Sequence, residues 1–291
     1  MAGAEKLRLA AALGGALGLG LVVVVLAVAA REARVPTRCG AGLVTLESRC
    51  CGEGQRLERG RCVGEPRACA EGQRATVAGC VPEARRIELA GGSVERPPFD
   101  WDAPASLGTG AVAAAPLSMD SHEVTEGEWT ACVAAGACGE APKAGEPGLP
   151  QTQINAHEAA RFCQHRGGRL PTSAELAFAA MGQAGRRYPW ANAGLVCRRA
   201  AFALVLGPCA HGAVGPDLAG SHPEGRSPEG VHDLAGNVAE WTEPVGDFCE
   251  VRGGSFRDRS VTALRSFSSR SVPADARDDA IGFRCVYAAE R

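Results

Sequence analysis

The stretch INAHEAARFCQHRGGRLPTSAELAFAAMG, residues 154–182, decides the fold class. Asn155 is followed three residues later by Glu158, and apolar positions at 159, 162 and 163 precede the pair Gly167-Gly168. An Asn oxygen takes the third amide of a helix while the Glu reaches back to the first. Together they satisfy two donors that a helix start leaves orphaned, so this spacing predicts a capped helix that stops at the glycines. Thr172 with Glu175 repeats the device in RLPTSAELAFAAMG. Thr125 with Glu128 repeats it again in MDSHEVTEGEWTACV (119–133), after a short extended stretch. From these short helices to Arg291 the chain is rich in Gly, Pro and short runs, which predicts an irregular α+β domain with small sheets.

Composition narrows the class further. The 291 residues suffice for one medium domain plus accessories. A net charge of -2 gives no basic footprint, so a nucleic-acid partner is not expected. Gly (38) and Pro (18) outweigh the aromatics at 5%, favouring loops over a helical bundle. Thirteen cysteines are many for a reducing cytosol, and the odd count leaves one thiol without an intramolecular mate.

Leu9 to Ala30 carries neither a charge nor a Pro. It is long enough to cross a bilayer as a helix and exceeds the usual signal-peptide core. Lys6 and Arg8 before it favour a cytoplasmic N-terminus, although Arg31 and Arg34 blur the asymmetry. Ala27-Val28-Ala29 offers a rival reading as a cleavage site. An anchor predicts a single-pass inner-membrane protein with its C-terminal part in the periplasm, and a cleaved signal predicts secretion. Residues 1–31 are thus read as a cytoplasmic tip and anchor, or as a signal peptide.

Residues 32–83 contain three related segments: CGAGLVTLESRC (39–50), CGEGQRLERGRC (51–62) and CAEGQRATVAGC (69–80). Each is C-x(10)-C with Gly fourth, the mark of a repeated supersecondary unit. Twelve residues suit a β-hairpin whose ends lie opposite each other, so the repeat predicts Cys39–Cys50, Cys51–Cys62 and Cys69–Cys80. Zinc is the weaker reading because paired ligands at short spacing and His are both missing here. Units this small bury too little apolar surface to fold unaided and depend on covalent closure. Residues 84–116, with Gly91-Gly92 and Pro97-Pro98, read as a linker or domain edge in which Phe99 and Trp101 dock onto the following domain at 117–291.

Several motifs in that last domain are collinear with those of one known family. MDSHEVT, HEAARFCQHRGGRLPTSAEL, RRYPWAN (186–192), GVHDLAGNVAEWT (230–242), VRGGSF (251–256) and GFRC (282–285) resemble the formylglycine-generating enzymes, or sulfatase-modifying factors. The resemblance spans roughly residues 117–288. It implies an irregular relative of the C-type lectin fold with little regular secondary structure. It also implies a Cys163–Cys285 bridge, beside which Cys132 with Cys138 and Cys197 with Cys209 are candidates for local bridges, leaving Cys249 over.

The same resemblance defines what chemistry to look for. Formylglycine-generating members hold copper(I) between two thiolates just after the G-G-S strand, and soft sulfur ligands suit that ion. Here Asp258 and Ala263 stand at those positions, so copper and cysteine oxidation are not expected, and an oxidase could fall back only on Cys249. Iron-dependent sulfoxide synthases need H-x-x-x-H-x-E, a pattern that His122, His157, His165, His211, His222 and His232 do not form. G-x-S-x-G is absent, and Gly253-Gly254 is not followed by G-K-[ST]. Calcium at the G-N-x-x-E-W turn, through Asn237, Val238 and Glu240, is the remaining cofactor the resemblance implies. The alternative is that Asn237 caps a turn and Glu240 pairs with an arginine. Ala201 replaces the Asn of a second calcium site, and Leu176 and Ala239 stand where tryptophans are common. Arg265 and Arg270, in LRSFSSR (264–270), either fork onto an anionic or peptide ligand or pair with Asp258 or Asp278. The whole chain is therefore expected to be an anchored extracytoplasmic protein that binds or assembles rather than oxidises, with a formylglycine-generating oxidase as the alternative.

Overall fold

In a computed structural model that describes residues 43–46, 49–58, 61–64, 66–67, 73–76, 79–83, 85–95, 110–140, 146–210 and 213–289, the three capped helices form where their boxes begin. Helix α1 spans Glu126–Ala134, α2 Ala156–His165 and α3 Ser173–Met181. Each capping box closes in both directions. In α3, for example, the Glu175 amide donates to Thr172 Oγ1 at 3.1 Å and the Thr172 amide to Glu175 Oε2 at 2.8 Å. The run at residues 9–30 lies outside the described residues, among which no helix is long and apolar enough to cross a membrane.

Three short hairpins mark the repeats: β1 (Leu43–Leu46) with β2 (Arg49–Gly52), β3 (Arg56–Glu58) with β4 (Arg61–Val63), and β5 (Gln73–Thr76) with β6 (Gly79–Pro82). Their registers agree, with Thr45 facing Cys50, Leu57 facing Cys62 and Ala75 facing Cys80. The closing Cys of each repeat therefore faces its seventh residue rather than its opening Cys. In place of hairpin ends at the two cysteines, each repeat has strands of three or four residues, the first ending at its eighth position and the second starting at its eleventh. Buried Gln55 straps the second unit, accepting from the Gly52 amide and donating to the Gly64 carbonyl, both at 2.8 Å. Cys51 is buried and disulfide-bonded. The other sulfurs of the expected Cys39–Cys50, Cys51–Cys62 and Cys69–Cys80 bridges lie outside what is described.

The described parts of the expected linker or domain edge, residues 85–95 and 110–116, hold three strands. Strand β7 (Arg86–Leu89) pairs with β10 (Leu117–Asp120), which pairs in turn with β15 (Val286–Ala288). Strands β8 (Gly92–Glu95) and β9 (Ala111–Ala114) form a second hairpin. Gly91-Gly92, which reads as a flexible joint, is a tight corner: Gly91 has φ +71°, and a Cβ there would come within 2.6 Å of the Ala115 carbonyl carbon. The apolar partners explain why the segment is held. Leu89 packs with Leu117, Met119, Leu176 and Val286, and Val94 with Phe178, Met181 and Phe267. Phe99 and Trp101 lie outside the described residues.

A four-stranded sheet completes the domain in the order β13 (Ser269–Pro273), β12 (Phe248–Arg252), β11 (Ala239–Trp241) and β14 (Ile281–Gly282). Its β11–β14 pair is parallel and the others antiparallel. Against it sits an aromatic nucleus: Trp129 and Phe162 stack at 5.6 Å, and Phe283 meets both edge-on. Disulfides join Cys132 to Cys138, Cys163 to Cys285 and Cys197 to Cys209. The second bridges 122 residues, tying α2 to the segment before β15.

Candidate functional site

The GVHDLAGNVAEW loop leads into β11 through three residues of left-handed backbone: Asp233 (φ +54°), Gly236 (+90°) and Asn237 (+60°). A Cβ at position 236 would fall 2.5 Å from the Ala201 carbonyl oxygen, so glycine is required for the approach. Asn237 is consequently a hub. Its amide donates to Ala201 O at 2.8 Å and its carbonyl accepts from the Phe256 amide at 2.8 Å. Its side chain accepts from the Asp217 amide at 2.9 Å and donates to Glu123 Oε1 at 3.1 Å. Four separate segments converge on one buried asparagine.

Beside the hub is a buried ion pair. Arg284 and Glu240, 0% and 2% exposed, face each other in a fork, Nε to Oε2 at 2.7 Å and Nη2 to Oε1 at 2.6 Å. The remaining Arg284 donors reach Asp120 O at 3.2 Å and His232 O at 2.8 Å. Burial pushes the Glu240 carboxyl up and the guanidinium opposes it, while Glu240 and its acidic neighbours hold Arg284 firmly charged. Glu123 is wholly buried with its Oε2 unpartnered among the described residues. Burial first, then the Asp233 carboxylate, pushes its carboxyl well above the usual range. Asp217 Oδ2 accepts from His222 Nε2 at 3.0 Å.

This geometry bears directly on calcium. The Asn237 oxygen is taken by the Asp217 amide and both Glu240 oxygens by Arg284. Among the described residues His, Cys, Asp and Glu form no group of three able to hold a metal. Asn237, Val238 and Glu240 as arranged do not fit the cation; a guanidinium occupies the carboxylate face that a calcium ion would need. Ala201 brings only its backbone carbonyl, which Asn237 uses. Leu176 is buried among aliphatic neighbours, and Ala239 in the cluster that holds Trp129, Phe162, Trp241 and Phe283.

At the two positions where the resemblance calls for thiolates, the chain has built a turn. Asp258 Oδ2 accepts from the Ser255 amide at 2.7 Å and from its hydroxyl at 2.8 Å, and Asp258 O accepts from the Ala203 amide at 3.0 Å. Ala263 packs on the cluster of Tyr188, Phe256 and Leu264. Cys249 lies in a different cluster, with Trp129, Phe162 and Phe283, on β12 opposite Val272. Burial lifts its thiol to about 11, so at pH 7 only about one molecule in ten thousand is thiolate. It is neither placed nor ionised to replace the missing pair.

Arg265 and Arg270 do not share a site: the first is buried in a turn and the second is exposed on β13. Of the acids expected to face them, Asp258 is engaged by Ser255 and Asp278 by Arg257 at 3.5 Å. A half-open groove of about 250 Å³ lies elsewhere, lined by Ala160, Gln164, Arg169, Leu170, Glu243 and Pro244. Its one cation, Arg169, is already forked onto Glu175 at 2.6 and 2.7 Å. Sequence reasoning passed over Glu123, Arg284 and Asp217. Glu123 sits between His122 and Val124 in a strand-like run, where no periodicity separates a buried carboxylate from an exposed one.

Comparison with known proteins agrees with this architecture. A family model described as a sulfatase-modifying factor enzyme 1-like domain matches residues 76–289. Its start, ahead of β7, includes the strands that read as linker. An inactive C-alpha-formylglycine-generating enzyme 2 of Mus musculus is 34% identical over 158 residues, covering 49% of this chain and 50% of that protein. The chain thus spans about half the length of the mouse relative. The structure of PvdO from Pseudomonas aeruginosa superposes with a TM-score of 0.57 at 19% identity, covering 72% of this chain and 95% of that one. Treponema denticola variable protein 1 also gives 0.57, at 16% identity, over 74% and 99%. These likenesses establish the fold.

Proposed function

Because this chain belongs to the sulfatase-modifying factor family and carries Asp258 and Ala263 where the resemblance calls for a thiolate pair, we propose that it is a non-catalytic, formylglycine-generating-enzyme-like protein that binds or assembles at the cell envelope. The single observation that carries this reading is the turn at Asp258. A carboxylate locked onto Ser255 and a methyl group at Ala263 supply no soft ligand for copper(I). Fold alone does not decide activity, and here the site residues speak against it. The mouse relative bears the word inactive in its name, and we extend that description to this chain.

The apolar run at residues 9–30 holds the protein in the inner membrane in this reading, with the Cys-rich module as a stapled stalk and the large domain on the periplasmic side. Three disulfides in the domain support an oxidising compartment. The ligand class most in keeping with the exposed Arg270 on an edge strand is a peptide or an anionic group. Turnover tests the central claim. The disulfide-intact chain is incubated with a C-x-P-x-R peptide, copper(I) and oxygen, and mass spectrometry follows thiol-to-aldehyde conversion beside an active member of the family. No conversion is expected, and copper-dependent conversion that survives Cys249→Ala would overturn the reading outright. Conversion lost in that variant would establish the oxidase alternative.

A further inference from the structure

The chain's charge is unevenly placed. Residues 187–214 hold three arginines and no acid, and residues 255–265 three arginines and one acid, in a chain of net charge -2; Arg198 is paired with Glu224 and Arg257 with Asp278 and Asp279. The fold brings these two segments together: the Leu204 amide donates to Phe256 O and the Ala203 amide to Asp258 O, both at 3.0 Å. Tyr188 reaches across to Val261 O at 3.4 Å, and all wrap one core cluster that includes Tyr188, Phe202, Leu204, Phe256 and Leu264.

On those loops stand apolar side chains that are exposed among the described residues. Val214 is 78% exposed, Leu206 60%, Val205 51% and Val261 45%. Protruding side chains of this kind insert into a surface and do not line a groove. Trp190, half-buried and stacked on Tyr188 at 5.2 Å, adds an aromatic of the type that settles at membrane–water boundaries. Arg259 is exposed and makes no ion pair among the described residues, and Arg199 donates to the uncharged Gly194 carbonyl at 2.9 Å, which leaves its charge uncompensated.

We propose that these loops form a peripheral docking face for an anionic lipid surface, with Val205, Leu206, Val214 and Val261 entering the acyl boundary and Arg199 and Arg259 meeting the headgroups. Apolar insertion and cationic attraction reinforce each other at such a surface. Charge complementarity selects an anionic bilayer, and four apolar side chains 45–78% exposed beside two cations suit insertion into one. The face stands on its own residues and does not depend on whether residues 9–30 span a membrane.

The test uses the full chain with an NBD fluorophore on Val214→Cys, Cys249 being too buried to label, and the unsubstituted chain as labelling background. Vesicles of phosphatidylglycerol should give a blue shift and a several-fold rise in emission, and vesicles of phosphatidylcholine much less. Val205→Ser, Leu206→Ser, Val261→Ser and Arg259→Glu together should abolish the response. All variants keep residues 9–30, so flotation of every variant with a silent label would refute the face while leaving the anchor intact. Equal responses to both lipids, or a response that survives the four substitutions, would also refute it. A response to an unlabelled second copy without vesicles would make the face a protein interface instead.

Discussion

At Glu123 a buried carboxyl carries a cost that the neighbouring residues only partly offset. Asn237 donates to one oxygen, the other has no partner among the described residues, and Asp233 lies close enough to repel it. One guanidinium, Arg284, forks onto Glu240 and only partly offsets the burial of Glu123. Its folded pKa is therefore raised above the unfolded value, whose reference is 4.5. The linkage sign follows: the folded state binds the extra proton, so this contribution is complete below 4.5 and is lost as pH rises towards and through the folded value. Raised Asp120 and Glu240 act in the same direction, while lowered Glu158, Glu175 and Glu229 lose their stabilisation as pH falls. Glu123→Gln keeps the shape and removes the titration. Its urea midpoint is expected to sit above that of the parent at pH 8 and to converge with it at pH 4.5. A variant whose midpoint tracks the parent across that range would show that Glu123 does not titrate with folding.

The helices were legible because capping is local: Thr125, Asn155 and Thr172 each announce a start through a Glu three residues on, and each box closes. Strands β7, β8 and β9 were not, since a four-residue strand such as RIEL beside Gly91-Gly92 looks like a linker until its sheet partners are known. The repeats had the same weakness. Their hairpins were readable from self-similarity, but the register comes from turn geometry and placed the mid-repeat residues opposite the closing Cys. At the site, Asn237 and Glu240 stood out in the signature loop, whereas Arg284 and Glu123 come from segments more than forty residues away in sequence. A boundary experiment separates the two readings of 84–116. A chain begun at Arg85 should unfold cooperatively and stay soluble. One begun at Leu117 leaves Leu117, Met119, Leu176 and Phe178 without their cover of Ile87, Leu89 and Val94, and it should aggregate or lose near-ultraviolet dichroism. A cooperative, soluble chain from Leu117 would restore the linker.

For the molecule as a whole, short elements and long loops leave stability to depend on a few long-range ties. The β7–β10–β15 sheet and the α2-to-Cys285 bridge join distant parts of the sequence, so these two features form only when both ends of the domain are in place. A covalent tie across a long loop removes more freedom from the unfolded chain than one across a short loop, as loop-closure entropy grows with the logarithm of length. Cys163–Cys285 closes 122 residues and Cys132–Cys138 only 6, although both lie against the same aromatic nucleus. Chain entropy therefore assigns about 5 kcal/mol to the first and about 2 kcal/mol to the second. Replacing each pair by alanines should lower the unfolding free energy in that order, with a larger rise in the denaturant slope for Cys163→Ala/Cys285→Ala as the unfolded chain expands. Equal losses with unchanged slopes would mean that the bridges act through packing in the folded nucleus. The long tie would then be no more important to this irregular fold than the short one.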